Sequence, residues 1–228
     1  MNLYTTYYPS KSREKELDFC LEKNLNNRFI KRVYVFNQSE KKLKHKKITE
    51  IKSPNRCPSY QDFFNLFTKH PDEVNIIANS DIFFDTTIGL ASNISQDKCY
   101  ALTRTEYYSD GSTKNFEEVH GNGCPAHFSQ DVWIFRGESK LQGIEVTIAL
   151  NNETKVYENV RFTIGIPGCD NVIAAHLKNA YEVKNPYNQI ICHHYHEDQS
   201  RGRYTHRITG AKNKWGIIHQ GKVPLTGL

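Results

Sequence analysis

A single α/β domain, with a mixed but mostly parallel sheet flanked by helices, is the fold class this sequence predicts, and three observations carry it. The chain opens as strand, helix, strand, which begins a βαβ unit whose right-handed crossover makes the first two strands parallel. Val74–Ala78 is a short apolar run of the kind that is buried on both faces of a parallel sheet, and it breaks abruptly into Asn79-Ser80-Asp81. A late apolar stripe, Val172, Ile173, Ala175 and Leu177, supplies a further helix near the end of the domain.

In order, Met1 to Tyr8 reads as a strand from its β-branched and aromatic residues, and Pro9-Ser10 stops it. A helix to about Asn26 follows, with Leu17, Leu21 and Leu25 on one stripe, Ser10 or Ser12 as its cap and Asn26-Asn27 at its end. Phe29 to Phe36 is the second strand. Lys41 to Lys47, with five lysines and a histidine, reads as a solvated loop. Ile48–Ile51 is a short strand, and Ser59 with Asp62 caps a short helix carrying Phe63, Phe64 and Phe67. After the central strand, Thr86–Asn93 is a helical turn. Cys99 to Tyr108 reads as one strand, Tyr107 to Asn115 as a loop, and Val132–Phe135 as a buried strand. Gly143–Leu150 and Val160–Ile164 are two more. Asp170 caps the late helix through about Ala180, and Ile190 to His196 is a terminal strand.

At 228 residues the chain suffices for one domain, here 1–197, and the basic segment 198–228 is expected to pack on the surface or to be partly disordered. The net charge of +5 suits anionic small molecules such as nucleotides and falls short of a dedicated nucleic-acid binder. No apolar run approaches the roughly 20 residues of a membrane span and no signal-peptide pattern opens the chain, so a soluble, cytoplasmic protein is expected. The six cysteines, without a CxxC pair, read as reduced thiols.

The candidate chemistry lies in acids at the ends of elements. Asp81 sits at the carboxyl end of a buried strand, where open α/β sheets bind ligands, and with Asp85 it flanks an aromatic pair. Asp131 precedes a strand, Asp170 opens a helix, and Arg104 sits where a strand emerges. Each also has an ordinary structural reading: a turn, a solvated strand start, a helix cap, a surface ion pair. His193, His194 and His196 fall within four residues, and strand alternation sends His194 and His196 to one face. With Asp81 they form a plausible Mn²⁺ or Mg²⁺ set.

Asn79-Ser80-Asp81 at the end of its strand resembles the DxD-type metal motif of nucleotide-sugar glycosyltransferases with the GT-A fold. Gly168-Cys169-Asp170-Asn171-Val172-Ile173-Ala174 resembles their later acidic motif, and Ser129-Gln130-Asp131-Val132-Trp133 with Asn185-Pro186 completes the pattern over roughly Met1 to His196. The resemblance implies a GT-A-like, Rossmann-like domain, as in the small enzymes of large DNA viruses and bacteria. It would transfer a sugar from a UDP-sugar or related donor to a glycan or other sugar acceptor. It implies metal ligation by Asp81 with His194 or His196, and donor binding by Thr5, Tyr7, Arg13, Asn79, Ser80 and Arg104. Asp131 would face the donor sugar. Asp170 would be the acceptor-side carboxylate, either as general base or as an orienting acceptor. Asn79 replaces the first Asp of DxD, so metal binding rests on Asp81, and a metal-independent variant stays open. The alternatives are a metal-dependent hydrolase or nuclease built on the His193–His196 cluster, and a non-catalytic carbohydrate-binding module. The helical stripe argues against the latter, which would more often be all-β.

Overall fold

The structure is a computed structural model that describes residues 1–52, 57–121, 126, 129–141, 146–150, 153–157, 163–165, 169–195 and 209–210. Its elements are β1 (Asn2–Tyr7), α1 (Glu14–Asn26), β2 (Arg32–Asn37), β3 (Ile48–Lys52), α2 (Tyr60–Phe67), β4 (Val74–Ala78) and β5 (Ile82–Phe84). A 3-10 stretch follows at Thr86–Asn93, then β6 (Lys98–Leu102), β7 (Thr105–Tyr107), β8 (Thr113–Asn115) and α3 (Phe116–His120). The series closes with β9 (Val132–Arg136), β10 (Val146–Leu150), β11 (Glu153–Tyr157), α4 (Cys169–Ala180), β12 (Glu182–Lys184), β13 (Cys192–Tyr195) and β14 (Thr209–Gly210).

The expected mixed, mostly parallel sheet is present. Seven strands run in the order β12-β6-β9-β4-β1-β2-β3. Only β9 runs against its neighbours β4 and β6; the pairs β12–β6, β4–β1, β1–β2 and β2–β3 are parallel. Period-two alternation along each strand sends side chains to two separate cores. On one face, Tyr60, Phe63, Phe64 and Phe67 of α2 and Ile173 and Leu177 of α4 pack on Tyr4, Trp133 and Phe135. On the other, Leu17 of α1 packs with Leu3, Val33, Val35, Ile76 and Ile134.

That second core also holds Ile82, Phe84 and Cys192, which belong to a smaller sheet of order β5-β13-β7-β8 laid over the main one. The free edge of β5 is closed by a helix rather than a strand. Asn24 of α1 donates to Ile82 O at 2.8 Å and accepts from Phe84 N at 3.1 Å, and Asn27 donates to Phe84 O at 3.0 Å. These side chains mimic a neighbouring strand and satisfy backbone groups that burial would otherwise orphan.

Several expectations are corrected. Cys99–Tyr108 is two strands in different sheets, β6 and β7, because Thr103 is pinned where they part: Asn185 Oδ1 accepts from Thr103 N, and the Thr103 hydroxyl donates to Ala126 O. The loop expected at 107–115 contains β8, paired antiparallel with β7 around Gly111 at φ +84°. Neither Ser10 nor Ser12 caps α1: their hydroxyls lie 3.4 Å from each other, and Arg13 is the N-cap with no side-chain cap bond. Asp170 is inside the first turn of α4 rather than ahead of it. Ser59 and Asp62 do form the expected capping box. Of the expected strand at 160–164 only Thr163 and Ile164 are described, Thr163 in an isolated antiparallel bridge with Ser59; His196 and the segment from 198 lie outside the described residues except Thr209–Gly210, which pair with β10. Among the described cysteines Cys20, Cys99 and Cys192 are buried free thiols. No helix of the described residues is long and apolar enough to cross a membrane.

Candidate functional site: a charged chain at the carboxyl rim of the sheet

β1, β4 and β6 end at one rim of the main sheet, and antiparallel β9 begins there. Asn79 N donates to Asp131 O at 3.2 Å and Asp131 N to Leu102 O at 3.0 Å, so the three chain segments are sewn together where the strands stop. The small sheet delivers its own residues to the same place: Asp81 just before β5, Arg104 just before β7, Glu106 within β7 and His194 within β13. Glu106 and His194 are register partners on adjacent parallel strands, so their side chains stand next to each other on one face.

Together these groups form one alternating chain. The Arg13 guanidinium donates from Nε to Glu16 at 2.7 Å, from Nη1 to the Tyr8 hydroxyl at 2.6 Å and from Nη2 to Asp81 Oδ2 at 2.7 Å. Asp81 Oδ2 lies 3.3 Å from His194 Nε2, whose ring Nδ1 lies 2.6 Å from Glu106 Oε2. Glu106 Oε1 accepts from Arg104 Nε at 2.7 Å, and Arg104 Nη1 donates to Asp131 Oδ2 at 3.0 Å. Asn79 Nδ2 closes the chain on Asp131 Oδ1 at 2.9 Å.

Burial makes these contacts strong. The side chains of His194, Glu106, Arg104 and Asp131 are each under a tenth exposed, and Asp81 is 14% exposed. Burial alone would lower the His194 pKa; Asp81 first and Glu106 next override it and raise it to about 9. Both ring nitrogens then carry protons and donate, one to each carboxylate. Burial would likewise raise Asp81, but His194 and then Arg13 hold it well below the usual carboxylate range. Glu106 is held low in the same way by His194 and Arg104. From Glu16 to Asp131, four carboxylates face Arg13, His194 and Arg104, and His120 Nε2 lies 3.7 Å from Glu106 Oε1.

The expected residues fall into two groups. Arg13, Asn79, Asp81, Arg104, Asp131 and His194 are all in this chain. Ser80 sits against the Tyr8 hydroxyl at its edge. Asp170 lies elsewhere on the rim: its charge and that of Asp131 both bear on the fully buried Tyr60. Tyr7 is turned away, its hydroxyl donating to Asp18 of α1 at 2.8 Å under the Lys41 ammonium. Thr5 is buried, and its hydroxyl has no hydrogen-bond partner among the described residues. Asp85 and His193 leave the site for the opposite face, where His193 Nε2 meets Asp85 Oδ2 at 3.2 Å and Asp85 caps the 3-10 stretch.

Two members were not foreseen: Glu16 anchors Arg13, and Glu106 links His194 to Arg104. Within the expected stretch Thr5 to Tyr8, it is Tyr8 rather than Tyr7 that meets Arg13. The signal for Glu106 was local, since Arg104 and Glu106 are opposite charges at i, i+2 on one strand face.

The donor set does not fit a divalent ion as it stands: the 3.3 Å between His194 Nε2 and Asp81 Oδ2 is that of an imidazolium N–H and the carboxylate it donates to, and Nε2 would ligate a metal only after losing that proton. Glu106 on Nδ1 supplies the outer carboxylate that metal-bound imidazoles commonly have. Among the described residues no group of three or more His, Cys, Asp or Glu side chains could hold a metal. Deprotonated at Nε2, the pair would suit an ion that draws the rest of its shell from phosphate and water.

No family model matches the chain, and no curated protein matches it. Among solved structures it is similar to S. aureus TarS 1-349 in complex with UDP-GlcNAc, at 11% identity and a TM-score of 0.37, over 59% of this chain and 44% of that one. The chain thus spans less than half the length of that neighbour, and a likeness this loose says nothing about substrate or mechanism.

Proposed function

We propose that the protein is a glycosyltransferase that takes a sugar from a nucleotide-sugar donor, a UDP-sugar in the first instance, and passes it to a sugar hydroxyl on a glycan or related acceptor. The observation that carries the reading is the position of Asp81. It is delivered by a buried parallel strand to the carboxyl rim of the sheet, beside His194 and Arg13, with Asp170 farther along the same rim. The resemblance of Asn79-Ser80-Asp81 and of the segment around Asp170 to glycosyltransferase motifs supplies the substrate class.

Asp81, with His194 once its Nε2 has given up its proton, would hold Mn²⁺ or Mg²⁺, and the ion would supply Lewis-acid stabilisation of the donor diphosphate. Tyr8, Ser80 and the buried Thr5 hydroxyl line the end of β1, where the nucleoside is received. Arg13 and Arg104 are the guanidinium donors nearest the developing negative charge of the leaving diphosphate. Asp131 has both oxygens engaged, by Asn79 and Arg104, so it positions Arg104 rather than accepting a proton. Asp170, only half-buried in the first turn of α4, is the carboxylate that takes the proton from the attacking hydroxyl. The hydrolase alternative requires a denser metal cluster than the described residues contain.

The test is thermal stabilisation by UDP and UDP-sugars with and without Mn²⁺. A ligand at about 100 times its dissociation constant adds about 2.7 kcal/mol to native stability. Stabilisation by UDP with Mn²⁺, lost in Asp81→Asn, is expected. Silence toward every nucleotide would end the transferase reading.

A further inference from the structure

The basic run Lys41–Lys47 takes no part in the rim site, and the fold gives it a definite place. β1, β2 and β3 are adjacent and parallel, so their amino ends lie side by side, at the rim opposite the one that holds Asp81. β2 opens with Arg32 directly after Lys31, and β3 follows directly on Lys46-Lys47. Val33 N donates to Lys47 O at 2.8 Å and Val33 is the register partner of Ile48, so the two basic pairs stand on neighbouring strands. Such strands are about 4.8 Å apart. Lys47 Nζ donates to Asn27 O at 2.8 Å, which brings the end of α1 to the same corner. Arg28 follows there, its guanidinium 4.8 Å over the Phe29 ring.

These cations sit on an anchored segment. Leu43 is buried and its N–H donates to Glu50 Oε1 at 2.8 Å, while Ile48 N donates to His45 O at 3.0 Å. Lys41 is engaged by Glu14 and Asp18 of α1. Arg28, Lys31, Arg32, Lys44 and Lys46 are exposed, and among the described residues no carboxylate pairs with them. The charges crowd one another: burial first and then Lys46 lower the Lys47 pKa. One carboxylate, Glu73, acts on this corner, where its charge and that of Arg32 both bear on Tyr34. Farther along the rim the signs are mixed, with Glu182 paired to Lys98 and Lys184. The basic face is therefore confined to the β1–β2–β3 half.

We infer that this rim is a docking face for a membrane surface rich in anionic lipid headgroups, with Arg28, Lys31, Arg32, Lys44, Lys46 and Lys47 as its contacts. A row of strand ends spreads its cations along a line rather than converging them on one point, which suits a layer of mobile headgroups better than a single bound anion. Single-stranded nucleic acid needs open rings for base stacking, and here the Phe29 ring lies under Arg28. A net charge of +5 is small for a duplex binder. Among the described residues the exposed large apolar side chain is Val119, in α3, so this rim holds a bilayer by charge alone and salt reverses the attachment. Docked so, the protein turns its carboxyl rim away from the bilayer by the length of a strand, about 20 Å. The chemistry assigned to that carboxyl rim plays no part in this inference.

The experiment is co-sedimentation of the full chain with vesicles of phosphatidylcholine alone and of phosphatidylcholine mixed with phosphatidylglycerol, at low and at molar salt. Binding to the anionic vesicles alone, abolished by molar salt, is expected. Each lysine near an anionic surface corresponds to about a fivefold change in partitioning, so the double variant Lys31→Gln, Lys46→Gln should lose about 25-fold. Lys11→Gln with Lys114→Gln removes the same charge from the turn before α1 and from β8, and should leave partitioning nearly unchanged. All four lysines are exposed, and equal thermal melts confirm that each variant is folded. Absence of binding to anionic vesicles overturns the proposal, as does equal binding to phosphatidylcholine alone. An equal loss in the two double variants also overturns it, since net charge rather than this rim would then be at work. Duplex DNA or single-stranded RNA bound more tightly than the vesicles, and released by Lys31→Gln with Lys46→Gln, would give the rim to nucleic acid and overturn the membrane assignment.

Discussion

Replacing His194 by Gln should convert a pH-dependent stability into a flat one. The imidazole pKa rises from 6.5 to about 9 on folding, because Asp81 and Glu106 outweigh the effect of burial. A group whose pKa is raised on folding contributes fully below its unfolded value and loses that contribution as pH climbs through its folded value. Between about pH 6.5 and 9 the native state holds one proton that the unfolded chain has released, so stability falls by about 1.4 kcal/mol per pH unit. Across that window the loss is about 3 kcal/mol. The two carboxylates act oppositely: both are depressed, so their contribution is present above their unfolded pKa near 4 and is lost only in acid. Urea unfolding at half-unit steps from pH 5.5 to 9.5, on native protein and His194→Gln, isolates the term as a difference between the two curves. That difference should shrink by about 3 kcal/mol between pH 6 and pH 9.5. A difference that stays constant across the range would mean that His194 is neutral in the native state, and the alternating chain would have to be redrawn with a bridging proton on a carboxylate.

Three further outcomes follow from single contacts. Asn79→Asp, which would restore a DxD sequence, replaces the amide that donates to Asp131 by a second carboxylate, and a loss of about 2–3 kcal/mol is expected; a thermal melt showing native stability would refute it. Asn24→Ala strips partners from Ile82 O and Phe84 N, costs about 2–4 kcal/mol and should speed amide exchange in β5 selectively; a uniform change along the chain would contradict that role. Gly137→Ala forces a side chain onto φ +76° with its Cβ 2.5 Å from Pro71 O, and should cost about 2 kcal/mol or more in chemical denaturation with little effect on ligand binding.

Local periodicity made the frame legible. β1, α1, β2, α2 and β4 each announce themselves locally, and a buried strand running into Asp81 is enough to place that carboxylate at the carboxyl rim of the sheet. What could not be read is which sheet a strand joins. Cys99–Tyr108 has unbroken strand character, and Thr103 is held by partners distant in the chain, Ala126 O and Asn185, the latter 82 residues later, so that the backbone leaves the main sheet for the small one. That departure turns Glu106 inward beside His194, so the Glu106–His194 contact that joins the two halves of the charged chain is a tertiary fact, and only the Arg104–Glu106 pairing beside it is local. The same logic separates Tyr7 from Tyr8. Alternation sends Tyr7 beneath α1, but Tyr8 lies past the end of the strand, where the Arg13 guanidinium rather than the pleat decides where its hydroxyl points. Asn79 is the most instructive case. Compared with a DxD motif it reads as a lost metal ligand, yet in three dimensions it is the donor that Asp131 requires. A carboxylate there would leave four acids facing Arg104 and His194 with no added cation. The departure from the motif is the residue that lets the rest of the charge chain close.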